Sequence, residues 1–189
     1  MTSDSNSSKI LKIFRLALFN LVPISLLLTA CASSPTATEA SRPDWFGYEL
    51  TDVQTGETFT MDDFAGKVVL VETMAMWCPN CIVQAHEVRN LHNLLGNPED
   101  LISVSLDVDV NEDADSLKEY SEEYGFEWHF AVAPLEVARA LGNLYTAQYL
   151  NPPLSPMLII DRDGNVHHLD YGLKKAETLQ KIVESFLDQ

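Results

Sequence analysis

The sequence predicts an α/β domain: a mixed central sheet covered by helices on both faces, preceded by an N-terminal β-hairpin. Three observations carry this. Short continuous apolar runs, typical of strands covered on both sides, alternate with segments of helical period. The alternation ends in a hairpin and an amphipathic helix, which adds antiparallel pairing to a parallel sheet. The composition, 46% hydrophobic and 21% charged over 189 residues, is that of one globular domain.

The elements follow in order. Tyr48 to Asp52 and Thr58 to Met61 flank the turn Gln54-Thr55-Gly56 and predict the short hairpin. Lys67 opens Val68-Val69-Leu70-Val71, a buried strand. Cys81, Ala85, Val88, Leu91 and Leu95 fall on one helical face, and Gly96-Asn97-Pro98 stops that helix. Leu101 to Leu106 is the next strand. Asn111 is the expected N-cap of a helix carrying Leu117, Tyr120 and Tyr124 on one face and closed by Gly125. A strand at Trp128 to Val132 and a short helix at Leu135 to Leu141 follow. The irregular segment Asn151 to Pro156 feeds the buried strand Met157 to Ile160. Asp161 to Asn165 turns the chain into Val166 to Tyr171, and Leu179, Ile182, Val183, Phe186 and Leu187 mark the closing helix.

The formal net charge is −16, from 12 basic and 28 acidic residues, which repels phosphate backbones, so nucleic acid is not an expected partner. No Gly-rich phosphate loop and no Ser-centred nucleophile elbow is present, which removes the usual signposts of phosphoryl and ester chemistry.

Residues 1–30 read as an export signal. Lys9, Lys12 and Arg15 flank an apolar run from Leu16 to Leu28, too short for a membrane span. The run ends Leu28-Thr29-Ala30-Cys31, which resembles the bacterial lipobox, where the cysteine is lipidated and becomes the new N-terminus. Residues 31–44 are then the lipidated Cys31 and a Ser/Thr/Ala/Pro tether, and residues 45–189 the folded domain. The expected location is extracytoplasmic, on a bacterial membrane through the lipid anchor. Of three cysteines, lipidation consumes Cys31 and leaves Cys78 and Cys81 as a pair in an oxidising compartment.

That pair lies in Trp77-Cys78-Pro79-Asn80-Cys81, at the junction of a buried strand and a helix. Unpaired N–H groups and the helix dipole at a helix N-terminus stabilise a thiolate, so Cys78 is the expected exposed nucleophile. Cys81, on the apolar helix face, is the expected buried resolving thiol. Zinc would need four ligands and no second Cys-x-x-Cys exists; covalent haem would need His at the position of Ile82. An inert disulfide closing so short a loop would restrain little chain. No cofactor is called for.

The stretch Lys67 to Cys81, KVVLVETMAMWCPNC, resembles the strand and active site of thioredoxin-fold proteins, in particular the exported, membrane-tethered TlpA and ResA type. Gly56-Glu57-Thr58, Phe64-Ala65-Gly66-Lys67, Ser155-Pro156 and Leu158-Ile159-Ile160-Asp161 with Gly164 match the same family. The resemblance implies a thioredoxin-like fold and thiol-disulfide exchange. It implies that Pro156, in the family usually cis, lies opposite the cysteines and presents backbone to substrate, with Ser155 before it and Trp77 helping to bind substrate. It implies that Glu72, six residues before Cys78, is a buried acid relaying a proton to Cys81; the alternative is a strand-end carboxylate reaching solvent. Some relatives carry a Glu shortly after the second cysteine, where Gln84 stands, so that role is not carried over.

By the same resemblance the partners are exported client proteins with disulfides and a membrane thiol reductase as electron donor. Two other functions stay open. Met74, Met76 and His86 near the cysteines would suit Cu(I), as in copper-binding assembly factors, although those use Cys-x-x-x-Cys with a distant His. Peroxiredoxins share the broader fold, but their reactive cysteine follows a Pro and Thr motif where Met76-Trp77 stand here.

Overall fold

Each apolar run becomes a strand, and all but the hairpin join one sheet. The computed structural model describes residues 42–189; the signal segment, Cys31 and most of the tether lie outside them. Strands β1 (Leu50–Thr51) and β2 (Thr58–Phe59) form the antiparallel hairpin. Strands β3 (Val68–Met74), β4 (Leu101–Asp107), β5 (His129–Val132), β6 (Met157–Ile160) and β7 (Val166–His168) form a sheet of order β5-β4-β3-β6-β7. β3, β4 and β5 run parallel, while β6 pairs antiparallel with β3 and with β7. The helices are α1 (Pro79–Leu95), α2 (Ala114–Tyr124), α3 (Leu135–Leu144) and α4 (Ala176–Leu187).

The central strand β3 is buried along its whole length, so its two faces serve two cores. Val68, Leu70 and Met74 join Met157 and Ile159 against Cys81, Ala85, Val88 and Leu91 of α1 and Leu179 and Val183 of α4. Val69 and Val71 join Leu158 and Ile160 against Val137 and Leu141 of α3 and the buried Trp45 and Phe46. This period of two, with burial on both sides, is why the strand reads as an unbroken apolar run. It also puts Glu72 on the α1 face, between Leu70 and Met74.

Gly96 and Gly125 end α1 and α2 in left-handed conformation, φ 71° and 65°, as the stop signals require. Three of the differences from the expected boundaries bear on the site or its frame. Asp113, not Asn111, caps α2, its carboxylate accepting Ser116 N at 2.9 Å; Asn111 donates instead to Asp109 Oδ1. α3 continues through Gly142 and Asn143 to Leu144, where the Tyr145 N–H still donates to Leu141 O at 3.1 Å. β7 ends at His168 rather than Tyr171, since the chain turns at Gly172 (φ 97°), whose N–H bonds Leu154 O at 2.7 Å. That contact ties the segment after β7 to the loop before β6.

Candidate active site

The site is built where β3 gives way to α1. Cys78 is the N-cap of α1 with extended backbone, and Pro79 takes the first helical position, where a missing N–H costs nothing. Cys81 N lies 3.2 Å from Cys78 Sγ and donates to it. The sulfur thus occupies the place where a capping oxygen normally accepts, and a thiolate there receives a helix N–H and the helix dipole. Cys78 and Cys81 are joined as a disulfide with Cα atoms 5.3 Å apart.

Both cysteines are buried, Cys78 at 1% and Cys81 at 3% exposure. This corrects the expectation that Cys78 would be the exposed thiol of the pair: bonded to Cys81, it packs with Met74 and Ala75 in the α1-side core. The exposed group is Trp77, at 56%. With Val108, Val110, Leu150 and Pro152 it lines a shallow groove beside the disulfide, with Asp109 on its rim.

The loop before β6 closes over the first turn of α1. Asn80 Nδ2 donates to Pro153 O at 2.8 Å, and Cys81 Sγ lies 3.5 Å from Pro152 O, an acceptor for the thiol once reduced. A turn of 3-10 helix over Pro152–Leu154 ends at Ser155, which is left-handed (φ 47°, ψ 57°), a conformation a β-substituted residue adopts at some cost. Pro156 is buried, and its carbonyl accepts Thr73 N at 3.2 Å, which fixes it beside the end of β3. No peptide among the described residues is cis, so the bond before Pro156 is trans; the left-handed Ser155 makes the turn.

Glu72 is 5% exposed, which removes the alternative of a strand-end carboxylate in solvent. It accepts the Ser105 hydroxyl at 2.5 Å, and that hydroxyl accepts the Trp128 indole N–H at 2.8 Å. Burial raises its pKa to about 7, against the Ser105 hydrogen bond and the positive charge of Lys174, which lower it. Lys174 is itself buried, donating from Nζ to Gly172 O at 2.7 Å and Ser155 O at 3.3 Å, and burial depresses its pKa. Gln84, buried in α1, exchanges two hydrogen bonds with the Lys174 backbone, at 2.8 and 3.1 Å. Gln84 is thus a structural clamp between α1 and the segment before α4.

On the other side the segment leading to Cys78 is held by acids after β4. Glu112 accepts Met76 N at 2.7 Å and Trp77 N at 3.3 Å, and Asp109 Oδ2 accepts the Trp77 indole N–H at 2.6 Å. Sequence reasoning missed Ser105, Asp107, Glu112 and Lys174. The spacing Asp107-x-Asp109-x-x-Glu112 after a strand was the one local signal, and Lys174 left none. Of the residues considered for copper, Met74 lies in the core with both cysteines, Met76 packs against that core, and the His86 ring packs edge-on against Tyr124 and Phe126. Among the described residues no group of three or more His, Cys, Asp or Glu side chains is arranged to hold a metal ion.

A family model described as Redoxin matches residues 31–185. Among curated proteins none matches the chain. Solved structures share the fold at low identity. A thiol:disulfide interchange protein of the thioredoxin family from Chlorobium tepidum is 20% identical, with TM-score 0.60, covering 74% of this chain and 92% of its own. A secreted Mycobacterium tuberculosis disulfide oxidoreductase homologous to E. coli DsbE is 16% identical, with TM-score 0.55, covering 73% and 95%. BsSco, of the Sco family of cytochrome c oxidase assembly proteins, is 18% identical, with TM-score 0.57, covering 73% and 90%. The chain belongs to the Redoxin family, and its Cys78–Cys81 pair at a strand-to-helix junction makes it a thiol-disulfide oxidoreductase of thioredoxin-like fold.

Proposed function

We propose that the protein is a membrane-anchored reductase of disulfides in exported client proteins, recharged by a membrane thiol reductase. The observation that carries the direction of attack is the placement of Cys78 Sγ as N-cap acceptor of Cys81 N–H, which favours thiolate at Cys78 over Cys81. In the reduced protein the Cys78 thiolate attacks a client disulfide and forms a mixed disulfide, releasing one client thiolate. Cys81, losing its proton to Glu72, then attacks Cys78 Sγ and releases the second client thiolate. The client gains two electrons, and the protein is left with the Cys78–Cys81 disulfide for the donor to reduce. The Trp77 groove receives the client chain, while the backbone of Ser155 and Pro156 is engaged within the chain, Ser155 N–H by Pro152 O, Ser155 O by Lys174 Nζ and Pro156 O by Thr73 N–H.

Anchoring rests on Leu28-Thr29-Ala30-Cys31. One acyl chain gives only marginal membrane binding, so a stable anchor needs more than one. A metabolically incorporated fatty-acid probe should label the wild type and be lost in Cys31→Ser; an unlabelled wild type would remove the lipoprotein assignment. Clients are tested by expressing Cys81→Ser in the native envelope. Mixed disulfides through Cys78 should accumulate there, and their absence would leave the client class without support.

A further inference from the structure

Asp107 closes β4 opposite Met74, on the same face as Ser105 and Glu72, and its side chain is fully buried. Oδ1 accepts Asp109 N at 2.9 Å. Oδ2 is buried and finds no hydrogen-bond donor among the described residues. The group it meets is the Glu112 carboxylate, the same carboxylate whose two oxygens accept the Met76 and Trp77 amides. Two carboxylates facing each other with one of them buried repel, whereas one proton between them converts the repulsion into a strong hydrogen bond. The redox steps above use neither side chain.

We propose that Asp107 is a positioning residue. It shares one proton with Glu112 and so holds the Glu112 carboxylate on the two amides immediately before Cys78, and alkaline loss of that proton loosens the segment that presents Cys78. The proton leaves to solvent hydroxide, forming water and a second carboxylate; no electrons move.

The surroundings set the pH range. Burial, the hydrogen bond with Glu112 and the negative charges of Glu112 and Asp109 push Asp107 up to about 8. Glu72 faces the same region from β3, and Tyr120 from α2, whose buried phenol is raised by burial and by the charges of Glu72, Glu112 and Asp107. Tyr124 stands beside Tyr120, and His86 of α1 packs against Tyr124. Lys174 is the cation facing Glu72. The sign is that of a folded-state pKa raised above its unfolded value: the proton is held through neutral pH, and the latch is lost as pH rises through the folded value.

The test uses the full chain with its disulfide intact, so that neither thiol titrates and no turnover is needed. Its failure is therefore separate from failure of the reductase proposal. The amide resonances of Met76 and Trp77 are followed by NMR from mildly acidic to alkaline pH. In the wild type both should move with one shared alkaline midpoint. In Asp107→Asn the side-chain amide donates to Glu112 at every pH, so the movement should vanish; in Glu72→Gln it should persist. Glu112→Gln removes the partner of the shared proton and should also abolish it, which gives a second variant if Asp107→Asn does not fold. A wild type without the shared midpoint, or an unchanged midpoint in Asp107→Asn or Glu112→Gln, would overturn the proposal.

Discussion

Cys78→Ser is expected to abolish disulfide exchange, with the rate falling by several orders of magnitude, because the hydroxyl that replaces the thiolate is un-ionised and a far weaker nucleophile. Cys81→Ser is expected to behave differently. It keeps the attacking group and loses the resolving one, so the first half-reaction runs and the protein stalls as a mixed disulfide. The reason for the asymmetry is geometric: Cys78 Sγ accepts Cys81 N–H at the helix N-terminus, whereas Cys81 faces Pro152 O, an acceptor that favours its protonated form. Stopped-flow exchange with a small disulfide, followed by mass spectrometry of the trapped species, distinguishes the two. A stalled adduct on Cys81 in Cys78→Ser, with none on Cys78 in Cys81→Ser, would reverse the assignment.

Glu72→Gln should stabilise the protein and slow it. The carboxyl titrates at about 7 in the folded chain against 4.5 in the unfolded one, so between those values the folded state binds the extra proton. Stability therefore falls as pH rises through that window, and the ionised group costs on the order of 3 kcal/mol above it. Glutamine keeps an acceptor for the Ser105 hydroxyl but carries no charge. The variant should then gain on the order of 3 kcal/mol over wild type on the alkaline side and nothing at acidic pH, where Glu72 is protonated. Exchange should slow by about a hundredfold, the lower end of what a positioned acid/base contributes, with loss of a rate inflection near neutral pH. Denaturant unfolding at two pH values and a rate profile read both effects. A surface-like response, with neither stability nor rate changed, would leave Glu72 outside the chemistry.

How much of this was legible from residues alone follows from what is local and what is not. The apolar runs of β3 and β6, the helical spacing from Cys81 to Leu95 and the stops at Gly96 and Gly125 are local patterns, and each falls within a few residues of its observed element. The cysteine pair was legible because its spacing and its place after a strand are local too. Glu72 stood out as an acid inside an apolar strand. Its surroundings did not: Ser105, Trp128 and Lys174 come from β4, from just before β5 and from just before α4, and no sequence pattern links them. Asn111 and Asp113 are both good caps, and the choice between them was made by Asp109, which claims Asn111 for its own turn. The burial of Cys78 was missed because a helix N-terminus argues for reactivity, while exposure depends on the disulfide and on what packs around it.

The central claim, that Cys78 and Cys81 form a reversible reducing couple, is tested most directly by the reduction potential of the folded protein, titrated against a thiol buffer. The expected result is a two-electron transition, reversible without unfolding, at a potential near that of thioredoxin, about −270 mV. A potential near that of a strong disulfide oxidant, about −120 mV, would reverse the direction of electron flow, and a disulfide that is reduced only when the chain unfolds would contradict redox function at this site.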